Sequence, residues 1–393
     1  RQYNISKRLV EGYLNQPYTW FLSRNSADLG KTILSEVEIV VGGGITSALE
    51  LIAKSMVIIA LIALLIIADP KLAIIVGFTL STIYGFIFYL IRKYLDKIGK
   101  ERLKSNQLKF MSISEAFGAA KEVKVGGLEQ NYIDRYSGPA KTFALTQASS
   151  KVVSQLPRFF LEAIAFGGIL LSILYLMSRS GSFNTILPIM TLYVFAGYRL
   201  LPAIQQIYAS FTRLLFVSPS IDRLHDDIKN LKPYKSVHDQ ISFKINKKIT
   251  LNNIYYNYPN SSRTILKNIN LNIDVKTIVG LVGATGSGKT TTVDIILGLL
   301  NPKKGNLKVD EKIITKENSK SWQKSIGYVP QQIYLADDTV SANIAFGLDN
   351  ININQEAVEK AAKIANLHDF VLNELPQKYQ TTIGERGIRL SGG

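Results

Sequence analysis

The chain has 393 residues, of which 47% are hydrophobic, and it carries a formal net charge of +16 without any cysteine. The absence of cysteine excludes disulfides and thiolate metal sites, and the three histidines are scattered along the sequence. The basic residues do not alternate with aromatic ones as on a nucleic-acid-binding surface, so we expect no nucleic-acid partner. Cytoplasmic loops beside an anionic membrane account for the charge instead, with membrane lipids as partners.

Four apolar runs predict four membrane-spanning helices. They cover residues 49–68, 72–91, 159–177 and 183–216. The second run, LAIIVGFTLSTIYGFIFYLI, has no charged residue over a length that crosses the hydrocarbon core of a bilayer. The core helix of a soluble protein could imitate one such run, but four in this order predict a membrane protein.

Basic residues predict the orientation of these helices. The segment between the second and third runs contains Arg92, Lys93, Lys97, Lys100, Arg102, Lys104, Lys109, Lys121 and Lys124. The two outer turns, 69–71 and 178–182, carry only one or two charges each. Positively charged loops stay on the cytoplasmic side, so the middle segment and both ends of the chain are predicted to be cytoplasmic. Because this segment is long and mostly compatible with helix, we expect the helices to extend beyond the bilayer.

Charged residues inside the predicted spans are candidates for the transport path. Arg199 lies in the fourth span, and it either contacts an anionic substrate or reaches the membrane surface or an internal ion pair. Glu162 lies early in the third span. Glu50 and Lys54 are one helical turn apart in the first span, so this spacing predicts that they pair with each other.

A phosphate-binding motif begins the soluble half of the chain. Residues 249–260 and 268–283 have strand-like patterns, and the second pattern leads into GATGSGKTT, which a helical pattern follows. This is a complete G-x-x-x-x-G-K-[ST] match in the context that the motif requires. The predicted nucleotide contacts are Gly283, Ala284, Thr285, Gly286, Ser287, Gly288, Lys289, Thr290 and Thr291.

The chemistry of each residue type explains the motif. The glycines let backbone N–H groups approach phosphate oxygens, and the following helix directs the positive end of its dipole at the same anion. Lys289 is predicted to contact the β- and γ-phosphates and the Thr290 hydroxyl to bind Mg²⁺. The sequence therefore predicts binding of a nucleoside triphosphate with magnesium.

A P-loop domain that follows a membrane bundle resembles one half of an ABC transporter of the exporter type. Tyr258, in YYNYP, matches the aromatic residue that stacks on adenine in that family, whereas Tyr255 and Tyr256 are compatible with simple strand faces. IGYVPQ, ending at Gln331, is similar to the loop whose glutamine contacts Mg²⁺ and the γ-phosphate. GERG at 384–387 and LSGG at 390–393 resemble the exporter loop and the start of the ABC signature.

The resemblance implies a fold and an assembly. The fold class is an α-helical transmembrane bundle with four of six spans, fused to an incomplete α/β P-loop nucleotide-binding domain. The implied divisions are a transmembrane domain at 1–218, a linker at 219–247 and an ATP-binding domain at 248–393. Nucleotide domains of the family pair head to tail, so Ser391, Gly392 and Gly393 would contact ATP held by a partner, which is a second copy or a paralogous half-transporter.

The chain also departs from the family pattern. Walker B and the switch histidine do not follow the signature, so we expect a fragment that lacks ATPase activity alone. Lys276 stands where the family usually has glycine in a turn. Residues 15–29 and 112–130 resemble coupling helices, and an apolar pattern after Asn354 predicts a capped helix of the helical subdomain.

The substrate is inferred from resemblance alone. GYRLLP at 197–202, TTVDIILGLLNPKKG at 291–305 and YLADDTVSANIAFG at 334–347 are similar to bacterial lipid-linked oligosaccharide flippases. This implies a multi-pass protein of the bacterial inner membrane whose ATP-binding domain is cytoplasmic. Lipid A exporters, multidrug exporters and a non-transporting, ATP-binding regulatory protein are the alternatives.

Overall fold

A computed structural model describes residues 1–68, 70–179, 183–231, 243–259, 261–331 and 333–384. The chain divides into two compact units. One comprises the described residues of 1–240 and 245–315, and the other those of 241–244 and 316–393. Each unit is described by itself.

The first unit begins with helices that lead into the first predicted span. A short helix, α2, lies in the region predicted to be the first coupling helix, and α3 to α5 then follow one another through two π-helical turns. The bounds are α1 Gln2–Leu14, α2 Tyr18–Phe21, α3 Ser26–Lys31, α4 Val37–Ile39 and α5 Thr46–Ala68, with π-turns at Thr32–Glu36 and Val40–Ile45.

Three very long helices complete the bundle. They are α6 Pro70–Gly118, α8 Glu129–Arg179 and α9 Phe183–Asn230, and the short α7 Ala120–Val125 lies between the first two. These long helices have 49, 51 and 48 residues. At 1.5 Å per residue each is about 72 to 77 Å long, more than twice the roughly 30 Å of a hydrocarbon core. The prediction that the helices extend beyond the bilayer is confirmed.

Helices cover all four predicted spans. Within the described part of the chain, Ser26–Ile67 and Gly197–Asn230 are long and apolar enough to cross a membrane. Many side chains of the third predicted span, 159–177, lie outside the described part, as do residues 69 and 180–182 of the outer turns. The second predicted coupling segment, 112–130, contains the end of α6, all of α7 and the start of α8.

The helices pack closely where α6 crosses α9. α5 packs along α9, and α6 packs against both α8 and α9. Gly99 of α6 lies directly against the backbone of α9, because an added Cβ there would collide with the carbonyl oxygen of Phe216. Glycine is therefore required at this crossing, which brings the two backbones into contact.

A buried polar cluster lies beside this crossing, and we call it the Glu36 cluster. It consists of Glu36, Arg102, Asn106 and Ser220, all of them buried. Arg102 Nη2 donates to Glu36 Oε2 at 3.1 Å and also contacts the Ser220 hydroxyl. Asn106 Nδ2 donates to Glu36 Oε1 at 2.7 Å, and Ser220 Oγ donates to Glu36 Oε2 at 2.7 Å. The cluster joins the first π-turn to α6 and α9.

Further charges join the base of α9 to the start of the bundle. The Tyr13 hydroxyl donates to Asp227 Oδ2 at 3.1 Å, and Arg223 of α9 donates to Asp28 Oδ2 of α3 at 3.1 Å. Burial and the neighbouring Asp227 raise the pKa of Tyr13, so its hydroxyl stays protonated as the donor. α1, α3 and α9 are thus connected close to the predicted coupling segment.

The first unit also contains a four-stranded antiparallel sheet in the order β2-β1-β3-β4. Alternation of apolar and polar residues gives one buried face: Leu251 of β1 lies opposite Leu271 of β2 and Leu307 of β3. The bounds are β1 Lys248–Tyr256, β2 Leu266–Asp274, β3 Lys304–Val309 and β4 Lys312–Ile313, and helix α10 Lys289–Ile296 lies between β2 and β3.

One strand prediction is wrong in part. Residues 249–260 and 268–283 were expected to be strands, but β1 ends at Tyr256 and β2 at Asp274. The apolar run that follows is not a strand, and Ile278 and Val282 are 102% and 97% exposed. A run of this kind is typical of a strand that has a neighbour on each side, and no strand among the described residues pairs with it.

Asp310 holds the chain that enters β1. Its carboxylate, just after β3, accepts hydrogen bonds from the backbone N–H groups of Asn246, Lys247 and Lys248 at 3.0, 2.8 and 2.9 Å. These bonds to the charged form lower the pKa of the Asp310 carboxyl below its usual range. The carboxylate therefore satisfies three consecutive backbone N–H groups where the chain enters β1.

We expect Asp310→Asn to loosen residues 246–248, because the amide has no charge and replaces one of the two accepting oxygens with an NH2 donor. Hydrogen exchange of the full-length protein, corrected for intrinsic rates, should show faster exchange there. The pKa of Asp310 is lower in the folded than in the unfolded protein. Ionised Asp310 therefore stabilises the folded state above the ordinary Asp pKa of about 4, and this contribution is lost as pH falls through the lowered pKa. The variant and the wild type should thus converge at acidic pH. Glu311→Gln, next in sequence and exposed, is the control, and equal exchange in both variants would contradict the prediction.

The second unit consists of short helices around one core. Val340, Val358, Val371, Tyr379 and Ile383 form that core. The Asn354 side chain accepts a hydrogen bond from the Ala357 N–H at 3.2 Å, so the predicted cap and helix are confirmed. The helices are α11 Ser319–Gln323, α12 Val340–Ile344, α13 Gln355–Ile364 and α14 His368–Glu374, with 3₁₀ turns at Asn350–Asn352 and Lys378–Gln380.

Candidate functional site

The predicted phosphate-binding loop is a tight turn at the N-terminus of α10. Gly286 and Gly288 have φ angles of +80° and +92°, in the region that side chains rarely adopt. At Gly288 an added Cβ would also lie 2.6 Å from Leu266 Cδ2 of β2. Both conformation and space therefore require glycine at position 288. The helix predicted after the motif is present as α10.

Positive charge is concentrated at the loop. Lys289, the first residue of α10, directs its ammonium back over the loop, where Nζ donates to the carbonyl oxygens of Gly283 and Ala284 at 2.7 and 3.0 Å. The first turn of a helix leaves backbone N–H groups without intrahelical partners, and its dipole adds partial positive charge. An ammonium that contacts two neutral carbonyls beside such N–H groups fits an anion such as a phosphate.

The other residues of the loop differ in their exposure. Gly283, Ala284, Thr285, Gly286, Ser287 and Thr290 are exposed, whereas Thr291 is buried beneath them. The Thr290 hydroxyl is thus accessible, as a ligand of Mg²⁺ would have to be.

Tyr258 lies next to the start of α10. Its hydroxyl and the Thr291 hydroxyl are hydrogen bonded at 3.1 Å, and its ring meets that of Tyr256 edge to face, with centroids 5.2 Å apart. The structure therefore brings Tyr258 next to the phosphate-binding loop, and its stacking on adenine stays a prediction. Tyr256 is buried in the sheet, and burial raises its pKa to about 12.

Sequence reasoning did not single out Asp294. It follows Thr291 by three positions on α10, which places both on one face of the helix. Burial raises the pKa of the Asp294 carboxyl, and its charge contributes to the raised pKa of Tyr256. Two tyrosines at the end of β1 thus face two polar residues of α10, and the helical spacing of those residues could have indicated this.

Other predicted site residues lie apart from the loop or outside the residues that the structure describes. Gln331 is exposed in the second unit, so its pairing with Thr290 on Mg²⁺ stays a prediction. Ser391, Gly392 and Gly393 lie outside the described residues, as do residues 385–387 of the GERG motif. Lys276 has a φ angle of +60°, so its turn keeps the conformation that favours the glycine of the family.

The charges in the predicted spans have separate surroundings. Arg199 is exposed on α9, about 24 Å from the start of that helix, and forms no ion pair among the described residues. The pairing predicted for Glu50 and Lys54 is wrong, because Glu50 Oε2 accepts from Gln206 at 2.7 Å and lies 3.6 Å from Arg213. Glu50 contacts residues of α9 because α5 packs along α9.

Glu162 also forms an ion pair. It pairs with Arg158, one turn earlier on α8, at 2.8 Å. Of the charged residues singled out in the spans, Glu50 and Glu162 therefore have partners on the protein, whereas Lys54 and Arg199 are exposed and form no ion pair among the described residues.

Comparison with known proteins gives two family matches and several relatives. Residues 3–207 match the ABC transporter transmembrane region and residues 266–393 match the ABC transporter domain. An ATP-dependent lipid A-core flippase of Ralstonia nicotianae is 26% identical over 99% of this chain. One of Syntrophus aciditrophicus is 27% identical over 99% of it. The chain spans 66% and 64% of the length of these two relatives.

A solved structure has the same fold. A bacterial Atm1-family ABC exporter with ATP bound superposes with a TM-score of 0.82 at 20% identity, covering 100% of this chain and 68% of that one. The predicted fold class, a helical transmembrane region fused to an ABC nucleotide-binding domain, is confirmed. With a family model matching more than half of its residues, this chain belongs to the ABC transporter family.

Proposed function

We propose that the protein uses ATP to move an amphipathic lipid across the membrane. The observation that carries this proposal is a phosphate-binding loop, contacted by the Lys289 ammonium, in the same chain as helices more than 70 Å long. Two of the matched relatives are named as lipid A-core flippases, which supports a lipid substrate.

The ATP site is proposed from the residues around the loop. The N–H groups of residues 283–288 and the ammonium of Lys289 hold the phosphates, and the Tyr258 ring stacks on the adenine. Thr290 and Gln331 hold Mg²⁺, which shields the phosphate charge. When bound, ATP supplies the free energy of transferring its γ-phosphoryl group to water.

The working unit is proposed to be a dimer of this protein with a second copy or a paralogous half-transporter. One phosphate-binding loop per chain requires two chains for two nucleotides, and Ser391, Gly392 and Gly393 would contact the nucleotide of the partner. The protein would lie in the inner membrane of a bacterium, with its ATP-binding domains in the cytoplasm.

The substrate class is proposed from Arg199. An exposed guanidinium in a membrane helix suits a lipid with a phosphate or pyrophosphate group, because its planar fork binds phosphate oxygens in pairs. A lipid-linked oligosaccharide fits this description, and so does lipid A. Amphipathic drugs without a phosphate do not, so they distinguish multidrug export from lipid flipping.

We expect ATP turnover by the full-length protein in liposomes to rise when a polyprenyl-pyrophosphate oligosaccharide or lipid A is added. In Arg199→Ala the lipid concentration for half-maximal stimulation should rise about 10-fold or more, because a hydrogen bond to a charged group contributes about 1.5 to 3 kcal/mol. Arg158→Ala, which removes an exposed arginine paired with Glu162, is the control.

The outcomes distinguish the proposals. Stimulation by only one of the two lipids would identify the substrate class. Stimulation by drugs alone would favour a multidrug exporter, and an absence of ATP turnover would favour a regulatory protein that binds ATP.

A further inference from the structure

A cavity of about 320 Å³ lies between α5, α6 and α9 in the membrane part of the bundle. We call it the three-helix cavity. Its walls are aliphatic, with Ile62 and Leu65 from α5 and Leu200 and Ile204 from α9. Two hydroxyl groups interrupt them, Ser81 and Tyr84, both on α6. The volume is at the lower end of the range for small-molecule sites, so the cavity has room for part of a lipid.

Tyr84 has an unsatisfied polar group. Its side chain is buried, with 8% of its surface exposed, and its hydroxyl has no hydrogen-bond partner among the described residues. Its ring packs against that of Tyr208 at 5.6 Å, but the Tyr208 hydroxyl donates to the carbonyl oxygen of Val153 at 3.4 Å. A buried hydroxyl without a partner destabilises the folded protein, because it has lost its hydrogen bonds to water. An occupant that brings an oxygen atom would remove this destabilisation.

The depth of Tyr84 limits what that occupant is. Tyr84 follows Pro70, the first residue of α6, by 14 positions, which is about 21 Å along the helix. It therefore lies near the middle of the second predicted span, 72–91. Lipids at rest in a bilayer keep their polar groups at the two surfaces, about 15 Å from the midplane. A resident lipid would place only hydrocarbon beside Tyr84.

We propose that the three-helix cavity holds the transported lipid part-way across the membrane. The hydrocarbon of that lipid lies against the aliphatic walls, and one of its oxygen atoms accepts a hydrogen bond from the Tyr84 hydroxyl. The lipid is thus a phosphate- or ester-bearing amphiphile whose polar group reaches the midplane only during transfer. This inference rests on the proposed function and adds a specificity-determining residue to it.

Two variants and a matched control test the proposal. Tyr84→Phe removes only the hydroxyl, and Tyr208→Phe removes a hydroxyl that already has a partner on the protein. Gly77→Leu fills the cavity, because an added Cβ at this lining glycine meets no atom within 4 Å. The probes are the two lipids named above and phosphatidylethanolamine, each with a diazirine in its hydrocarbon chain, used with the full-length protein in liposomes.

We expect cross-links from the substrate lipid to peptides of α5, α6 and α9. Tyr84→Phe should raise the lipid concentration for half-maximal ATP turnover about 2- to 10-fold, the range for one neutral hydrogen bond. Tyr208→Phe should not change it. Gly77→Leu should remove the cross-links and the lipid stimulation while leaving unstimulated ATP turnover intact.

Other results separate this inference from the proposed function. Equal cross-linking by phosphatidylethanolamine, unchanged in Tyr84→Phe, would mean that a resident lipid fills the cavity and would overturn the inference. Lipid-stimulated turnover that none of the three variants alters would overturn it as well, with lipid transport intact. Cross-linking that depends on Tyr84, without lipid-stimulated turnover, would support the cavity as a lipid site and refute the transport proposal.

Discussion

Replacing Lys289 with alanine should reduce ATP turnover by the full-length protein about 100- to 1,000-fold, the loss typical of removing one group that stabilises a transition-state charge. Lys289 Nζ lies 2.7 and 3.0 Å from two carbonyl oxygens of the phosphate-binding loop, and the ammonium has no acidic partner in the described part of the chain. Lys289→Arg should not restore activity, because the guanidinium is larger and its geometry differs.

The control for Lys289 is Lys303→Ala, which removes an exposed lysine beyond the end of α10. Binding of a fluorescent ATP analogue measures affinity separately from turnover. Turnover within about threefold of the wild type would contradict both the role of Lys289 and the proposed ATP site.

Replacing Arg102 with methionine should lower the free energy of unfolding by about 3 to 5 kcal/mol. Arg102 is fully buried, and its loss leaves the carboxylate of Glu36, also buried, without its cation. The double variant Arg102→Met, Glu36→Gln should recover much of this loss, because no uncompensated charge remains. Denaturation of the full-length protein in detergent, followed by tryptophan fluorescence, measures both.

Lys100→Met is the matched control for Arg102. It removes an exposed cation that pairs with Asp96 one turn away on the same helix, and such pairs contribute only about 0.3 to 0.5 kcal/mol. If Arg102→Met were no more destabilised than this control, the Glu36 cluster would not stabilise the bundle. If the single and double variants were equally unstable, the uncompensated charge would not be the cause.

Features that depend on local chemistry were predictable from the sequence. The phosphate-binding loop requires positive φ angles that glycine adopts at little cost, so its motif specifies its backbone. The long helices follow from apolar runs joined to helix-compatible charged segments, and the Asn354 cap follows from its position before an amphipathic pattern.

Features that depend on partners distant in sequence were not. The spacing of Glu50 and Lys54 favours a local pair, but α9 brings Gln206 and Arg213 to Glu50 from more than 150 positions away. Glu36 and Arg102 are separated by 66 positions, and nothing in their local sequence indicates the contact. The run at 278–283 was predicted to be a strand from its composition, whereas a strand also needs a neighbour to pair with.

Tyr84 illustrates the same limit. In the sequence it is one of several aromatic residues in an apolar run, where such residues serve mainly as packing groups. Only the arrangement of three helices leaves its hydroxyl without a partner among the described residues and places a cavity beside it.

The close contact at Gly99 also gives α6 the geometry of a lever. α6 has no proline after its first residue, so it is a continuous rod from Pro70 to Gly118. Gly99 divides this rod into arms of about 44 Å toward the outer end and about 29 Å toward the cytoplasmic end. If α6 pivots where it touches α9, a displacement beside α7 is magnified about 1.5-fold at the outer end. Tyr84 lies on the longer arm, so a small shift at the cytoplasmic end would open or narrow the space beside its hydroxyl.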